Sequence, residues 1–528
     1  MSATIKMDLA QNSSDARYHG DNSRWQLYLP YLSALAVVIF ATHVFWSYQK
    51  LSRFGGSPWA ALSSIPHRRA MLSGKTHLFY AEANQKYGPL ARVAPNILTT
   101  SSPDVWAHVN NTPGYKRSDW YYNAVRIEHR RDNVFSQTDN AKHDLRRKQM
   151  APGYSGRENS HLEDSIDECL EQFLTLMRTK YISDDRSAIP IDMARKVQFF
   201  TLDVISKIGL GTSFGMLRAD KDIDQYLQSS EEGLSIGNTA LALGVSWLSH
   251  LPWLGQFIAP SPNDGSGFGK MMATCFRLVD ERVARPSDER SDMLASFMRH
   301  GLAGHELRTE ALEQIIAGSD TTATGIRTIL LYVMTNPRVY RKLQAEADDA
   351  VRNQLAPSQA DSLITAAQAK QLVYLQAVIR EAMRLNPPVA NIFSRDVPPN
   401  GDTVNVEGRN VFIPGGTCIG YSAFAMHASQ DIYGPDAGVF RPERWLETDD
   451  EKLRSMVFAN ELIFGHGKFR CLGQKVAYME ISKFIFETFR NFDMAIVDPI
   501  HPWSSHNCLG LFQISNMWVQ VTERKAVF

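Results

Sequence analysis

Phe464-Gly465-His466-Gly467-Lys468-Phe469-Arg470-Cys471-Leu472-Gly473 is a glycine-rich loop carrying a single thiol, and an apolar helical pattern follows it from Val476 onward. Glycines on both sides of the cysteine let the backbone turn tightly and pass close to a flat ligand. Backbone N–H groups and the N-terminus of the following helix can point at the sulfur and favour thiolate over thiol. Such a thiolate can bind iron. The chain has 5 cysteines; Cys169, Cys275, Cys418 and Cys508 are widely spaced, and no C-x-x-C pair occurs. That pattern argues against a disulfide framework and a zinc knuckle, and these four read as small buried hydrophobes.

A second run lies in the longest strongly apolar helical pattern, Thr309 to Thr335, which Asn336-Pro337 closes. Inside it stand Ala317-Gly318-Ser319-Asp320-Thr321-Thr322. A mid-helix glycine, an aspartate and two β-branched threonines lower helix propensity. The Thr321 hydroxyl can bond back to the Ala317 carbonyl and distort the ladder. Read blandly, this is a mildly strained buried helix. Glu381 and Arg384 share a helix face, although as a surface pair they would contribute little. His143 and Arg147 stand four apart; with Arg146 and Arg130-Arg131, Arg147 could also belong to a solvated basic face.

The cysteine segment resembles the haem-binding signature F-x-x-G-x-R-x-C-x-G of the cytochrome P-450 superfamily, with Phe464, Gly467, Cys471 and Gly473 matching. Phe469 stands where the family has an arginine that pairs with a haem propionate, and Lys468 is expected to replace it. The remaining motifs come in the family's order. Ala317 to Thr322 looks like its A-G-x-D-T-T oxygen-binding groove, Glu381 and Arg384 like its E-x-x-R pair, and Phe440-Arg441-Pro442-Glu443-Arg444-Trp445 like its P-E-R-F element. His143 and Arg147 are similar to its propionate-binding W-x-x-x-R helix, with His143 replacing Trp, and Arg395 resembles another propionate arginine.

The resemblance implies a haem-thiolate monooxygenase in which Cys471 is the axial ligand to the iron of haem b. Phe464, Lys468, His143, Arg147, Ala317, Gly318 and Arg395 would surround the cofactor. Asp320 and Thr321 would relay protons, while Glu381, Arg384 and Arg444 would form a buried network supporting the cysteine loop. Tyr87-Gly88-Pro89, Arg117 to Tyr121 and Ala151 to Gly156 look like fungal microsomal members of the pisatin-demethylase-like type.

Positioning these residues requires a mainly α fold with small β-sheets. Leu90 to Thr100 reads as a hairpin around Pro95-Asn96, Ala366 to Leu385 as a helix stopped by Pro387-Pro388, and Thr403 to Val406 with Val411 to Ile413 as a strand pair. Strands and helices do not alternate as in a doubly wound fold. Gly209-Leu210-Gly211 follows no convincing strand, and Gly267-Phe268-Gly269-Lys270 lacks the Ser or Thr of a phosphate loop, so both read as structural glycines. With 44% hydrophobic and 21% charged residues in 528, the composition excludes intrinsic disorder and predicts one large catalytic unit. Lys plus Arg equals Asp plus Glu at 56 each, which speaks against binding nucleic acid through phosphate contacts.

From Trp25 to Gln49 the chain has no Asp, Glu, Lys or Arg. Roughly 25 helical residues reach about 37 Å, enough to cross a hydrocarbon core. Lys50, Arg53, Arg68 and Arg69 follow it, which keeps the bulk of the chain cytosolic by the positive-inside tendency. The expected organisation is a lumenal segment over 1–24, a transmembrane helix over 25–49, a hinge over 50–66 and a cytosolic haem-thiolate domain over 67–528, anchored by a single pass in the endoplasmic reticulum membrane. The alternative for 25–49 is a buried core helix.

By the same resemblance, electrons come from NADPH through a cytochrome P-450 reductase, with cytochrome b5 as a further donor. Arg146, Lys148, Lys468, Arg470 and Lys475 are expected to form a positive docking face for that partner. Dioxygen is cosubstrate, one atom going to a lipophilic small molecule. Tyr121, Tyr122, Val125, Phe135, Val389 to Phe393 and Leu509 to Phe512 are expected to face it, or else to be core. A haem-thiolate isomerase, dehydratase or oxidative ring-rearranging enzyme of the same fold is the alternative, against which the Asp320-Thr321 pair argues. A membrane-tethered haem sensor is a third reading.

Overall fold

The computed structural model describes residues 22–285, 291–359 and 362–525. The N-terminal unit is one helix, α1 (Asn22–Lys50), with Pro30 inside it. Its stretch Tyr28–Lys50 has a mean hydropathy of 1.7 and is long and apolar enough to cross a membrane. Large apolar side chains such as Phe40 and Trp46 are exposed along it. The expected lumenal segment lies, up to residue 21, outside the described residues.

From Leu51 onward the chain forms a second unit of its own. Among the described residues, twelve strands make small sheets around a helical mass. β1 (Leu90–Ala94) and β2 (Ile97–Thr100) are the expected hairpin. With β3 (Lys116–Arg117), β5 (Arg395–Asp396) and β8 (Cys418–Tyr421) they form a five-stranded sheet in the order β1-β2-β8-β5-β3. This sheet brings Arg117 and Arg395 opposite each other, although they are far apart in sequence. β6 (Asp402–Val406) pairs with β7 (Arg409–Ile413) as expected. β4 (Ile191–Asp192) and β9 (Phe492–Ile496) flank β12 (Trp518–Glu523), and β10 (Ser504–Cys508) pairs with β11 (Leu511–Ser515).

The helices that matter for the site are α2 (Asn140–Tyr154), α3 (Met193–Leu210), α4 (Tyr226–Leu243), α5 (Gly267–Ala284) and α6 (Gly304–Met334). At 31 residues, α6 is about 46 Å long and is buried along most of its length. It starts five residues before the expected Thr309 and ends just before Asn336-Pro337. α3 lies close against it: a Cβ on Gly318 would come within 2.6 Å of Ile205 Cδ1, so a side chain there would have to displace that of Ile205. Gly211 closes α3 in a left-handed conformation and Gly267 opens α5, the structural roles expected of those glycines.

The helix expected over Ala366 to Leu385 is two, α7 (Ala366–Ala369) and α8 (Val373–Leu385). Thr365 and Gln368 form a capping box that starts the first. The second starts afresh because the Glu346 carboxylate accepts from the Tyr374 and Leu375 backbone N–H groups, each at 2.7 Å. That cap comes from a residue outside both helices, so no local pattern announces it.

α9 (Gln474–Asn491) follows the cysteine loop and packs Phe484 against Phe173 and Phe200 at centroid separations of 4.6 and 4.9 Å. On α8, Glu381 and Arg384 are fully buried and bidentate: Arg384 Nε donates to Oε2 at 2.9 Å and Nη2 to Oε1 at 2.8 Å. Arg444 Nε reaches the same Oε1 at 3.2 Å, and Trp445 Nε1 donates to Oε2 at 3.0 Å. Trp445, in the place of a phenylalanine, therefore adds a donor to the network. Arg384 Nη1 ties this knot to the His427 carbonyl at 2.6 Å.

Candidate active site

The cysteine loop folds back on itself, with the Cys471 N–H donating to the Phe464 carbonyl at 2.7 Å. Gly465 and Gly467 take φ of 76° and 58°, where a side chain is strained; a Cβ on Gly467 would also meet Asn111 Oδ1 at 2.6 Å. The backbone amides of Gly473 and Gln474, at the start of α9, favour the charged form of the Cys471 sulfur. Burial raises the thiol above its ordinary range, while those amides, Arg147 and Arg470 oppose it. The balance keeps a proton on the sulfur until a cation is there to displace it. Among the described residues this is the one cysteine with an exposed side chain, and its surface opens onto an internal cavity of about 330 Å³.

Opposite walls of that cavity come from distant segments. Ala317, Gly318, Thr321 and Thr322 line it from α6, and Phe464, Phe469 and Cys471 from the loop. The Thr321 hydroxyl donates to the Ala317 carbonyl at 2.7 Å, the back-bond expected from the sequence. His143, Arg147 and Arg395 line the cavity as well. His143 is buried, its Nδ1 bonded to Asp144 Oδ1 at 2.8 Å and its Nε2 without a partner. Burial and the nearby Arg117 lower its pKa to about 4, so the ring is neutral. Arg395 Nη1 donates to the Tyr121 hydroxyl at 2.6 Å, while its Nε has no partner.

Two expected site residues are not in the wall. The Lys468 side chain points outward, 36% exposed, with Nζ 3.8 Å from Asp144 Oδ2. Arg117 occupies the wall instead; it is buried, bonded through Nη1 to the Val134 carbonyl at 2.5 Å, and has an unpartnered Nε. Its guanidinium lies 5.0 Å from the Phe469 ring centroid and that of Arg395 lies 4.1 Å from it. The ring that displaced the expected arginine is thus a platform for two others. Asp320 faces α3, where Gln198 Nε2 donates to its carboxyl. Burial raises Asp320 to about 6, with Arg327 pulling the other way.

Of the positions expected to face substrate, Tyr121, Val125, Phe135, Val389, Phe393, Leu509 and Leu511 line the cavity. Half-buried Tyr122 packs on His250, and buried Phe512 on His77 and Phe424, so neither ring lines the cavity. The expected positive face is also thinner than its sequence count: Arg146 pairs with Glu306 and Glu310, and Arg470 with Glu461, leaving Lys148 and Lys475 exposed.

Sequence reasoning missed Arg117 and Glu313. Nothing local marks Arg117, because the sheet pairing of β3 with β5 is what carries it to the cavity. Glu313 lies one helical turn before Ala317 and could have been found from that spacing alone.

A model of the family described as Cytochrome P450 matches residues 55–515. A protein named cytochrome P450 monooxygenase ABA1 from Pyricularia oryzae is 37% identical over 501 residues, covering 93% of this chain and 96% of the relative. One named cytochrome P450 monooxygenase aba1 from Botryotinia fuckeliana is 35% identical, covering 88% and 90%. A third, named cytochrome P450 monooxygenase abl1, from Leptosphaeria maculans, is 31% identical and covers 91% and 85%.

Proposed function

This chain belongs to the cytochrome P450 family, and from that premise we propose that it inserts one atom of dioxygen into a lipophilic small molecule, an intermediate of fungal secondary metabolism. The observation that carries the reading is a single cavity onto which the Cys471 sulfur, the Ala317–Thr321 stretch of α6 and a cluster of arginines all open.

The residues fit haem b. Unpartnered buried guanidinium nitrogens on Arg117 and Arg395 suit a ligand with two carboxylates, and the apolar walls suit a flat macrocycle. We assign the propionates to Arg117, Arg147 and Arg395, with Arg117 in the role expected of Lys468; His143, neutral and with its Nδ1 proton held by Asp144, lines the cavity without a proton to offer a propionate. Cys471 would hold the haem iron through its sulfur, and the amides of Gly473 and Gln474 would temper the charge there. Bound there, the haem supplies the iron at which dioxygen is activated, with the thiolate favouring O–O cleavage.

The protein's own part is positioning. Ala317 and Gly318 leave the wall of α6 without bulk where dioxygen must fit. Thr321 presents a hydroxyl that can accept and pass on a proton in the cavity, and Asp320 stands behind it as the acid held by Gln198. Aromatic and aliphatic side chains from Tyr121, Val125, Phe135, Phe393 and Leu509 keep water from the substrate. Electrons come from NADPH through a membrane-bound flavoprotein reductase, and α1 holds the chain in the same endoplasmic reticulum membrane, with the unit from Leu51 onward in the cytosol.

The test is turnover under labelled dioxygen. Full-length protein with reductase and NADPH, screened against lipophilic metabolites, should consume both NADPH and dioxygen and place one oxygen-18 atom in the product. Conversion without dioxygen, or product free of label, would defeat the proposal.

A further inference from the structure

Helix α6 carries more than the oxygen groove. Glu310, Glu313, Ala317 and Thr321 are spaced by three, four and four residues, so they form one stripe over three turns. Its far end is the cavity wall, where Glu313, Ala317 and Thr321 stand together. Its near end approaches a second, outward hollow of about 540 Å³ lined by Arg130, Arg131, Lys142, Arg146, His305 and Thr309, with Asn133 at its inner side. This basin is charged and polar, with Asp132 and Glu306 among its cations, whereas the inner cavity is mostly apolar.

The partition between the two is made of polar groups. Asn133 Nδ2, in the basin wall, donates to Glu313 Oε2 at 3.0 Å. Arg146, also in the basin wall, donates through Nη1 to Glu310 Oε1 at 2.5 Å, and the Val134 N–H donates to Glu310 Oε2 at 3.0 Å. Each carboxyl thus touches the basin's lining, and Glu313 also faces the cavity. We propose that Glu310 and Glu313 form a proton inlet that carries protons from the surface basin to the oxygen groove, separate from the Asp320 side of α6. This rests on the monooxygenase reading, since each turnover that reduces dioxygen consumes protons which the apolar cavity cannot supply.

The electrostatics agree with the geometry. Burial raises Glu313 to about 8, with Glu310 adding and Arg117 on β3 opposing. Burial raises Glu310 to about 7, against the pull of Arg146 on α2 and with Glu306 adding. Tyr154, at the end of α2, also faces both carboxyls. Near neutral pH, Glu313 is mostly protonated and Glu310 is divided between its two states. In one relay step a hydronium ion in the basin gives a proton to a Glu310 oxygen and is left as water. The Glu313 O–H bond breaks toward the cavity, and Glu310 reloads Glu313. One proton enters, one leaves, and both carboxyls return to their starting state.

A pin that merely holds the 126–139 loop would work as well with an amide, which still accepts from Asn133 but carries no exchangeable acid. The experiment therefore compares full-length holoenzyme with Glu313→Gln and Glu310→Gln, each first checked for an unchanged reduced carbon-monoxide spectrum. That check separates failure of this proposal from failure of the haem-thiolate reading. Infrared difference spectra of the ferric protein should show a protonated carboxyl band lost as pH rises through about 7 to 8, and Glu313→Gln should remove it. With reductase and NADPH, both variants should slow dioxygen reduction to water on the order of 10²-fold, raise the share released as peroxide and enlarge the solvent deuterium effect. Should Glu313→Gln fail to take up haem, Glu310→Gln decides. Wild-type peroxide share and isotope effect in the folded variants, or no carboxyl band titrating in that range, would overturn the inlet.

Discussion

At the scale of residues, the site sets charge against burial at each ionisable position. Burial holds the Cys471 thiol protonated against the pull of two amides and Arg147, so its ionisation would be completed only with a metal bound there. His143 stays neutral and Arg117 is lowered to about 10, chiefly by burial. Arg117 is where this balance can be tested. Hydrogen bonds to charged partners are worth about 1.5–3 kcal/mol, so Arg117→Leu should speed haem loss to an apoprotein acceptor by about ten- to a hundredfold. Lys468→Leu, by contrast, should leave it near wild type. A large effect at Lys468 with none at Arg117 would return the propionate to the loop lysine. Cys471 and the Thr321 back-bond were readable from sequence because each depends on neighbours within a few residues. The exchange of Lys468 for Arg117 was not, because it depends on which strand lies beside β5.

Elements, rather than single residues, decide how close the walls of the cavity stand. Gly318 sets the approach of α3 to α6, and Gly465 and Gly467 set the path of the cysteine loop. α8 acts as the fastening: Glu381 is shared by Arg384, Arg444 and Trp445, and Arg384 reaches on to the His427 carbonyl. Removing one member strands a buried charge at a cost of about 3–5 kcal/mol. Arg384→Leu should therefore lower the denaturant midpoint sharply and yield protein without haem, whereas Lys148→Leu on the exposed face of α2 should do neither. A haem-loaded Arg384→Leu protein of wild-type stability would show that the knot is dispensable. The long helix, the hairpin and the strand pair were legible because their periodicity is continuous. The break between α7 and α8 was not, since the Glu346 cap that creates it comes from outside the local pattern.

For the molecule as a whole, zero formal charge says nothing of where the charges stand. Cations gather at the basin beside α2 and α6, yet several that the sequence offered to a redox partner are already paired with acids of their own chain. Only the three-dimensional pairing shows this, because a count of Lys and Arg treats a neutralised side chain and a free one alike. α1 is the opposite case: an uncharged stretch that leaves its apolar side chains exposed is legible in one dimension. Order along the chain also carried far, since the motifs that meet at the cavity occur in the family's sequence and the family model spans residues 55–515.

The account depends above all on the bond between the Cys471 sulfur and a haem iron. The direct measurement is the reduced carbon-monoxide difference spectrum of detergent-extracted, haem-supplemented protein beside its Cys471→Ala variant. The account predicts the red-shifted thiolate band in the first and its absence in the second. A colourless wild type, or a thiolate band that survives the substitution, would contradict it.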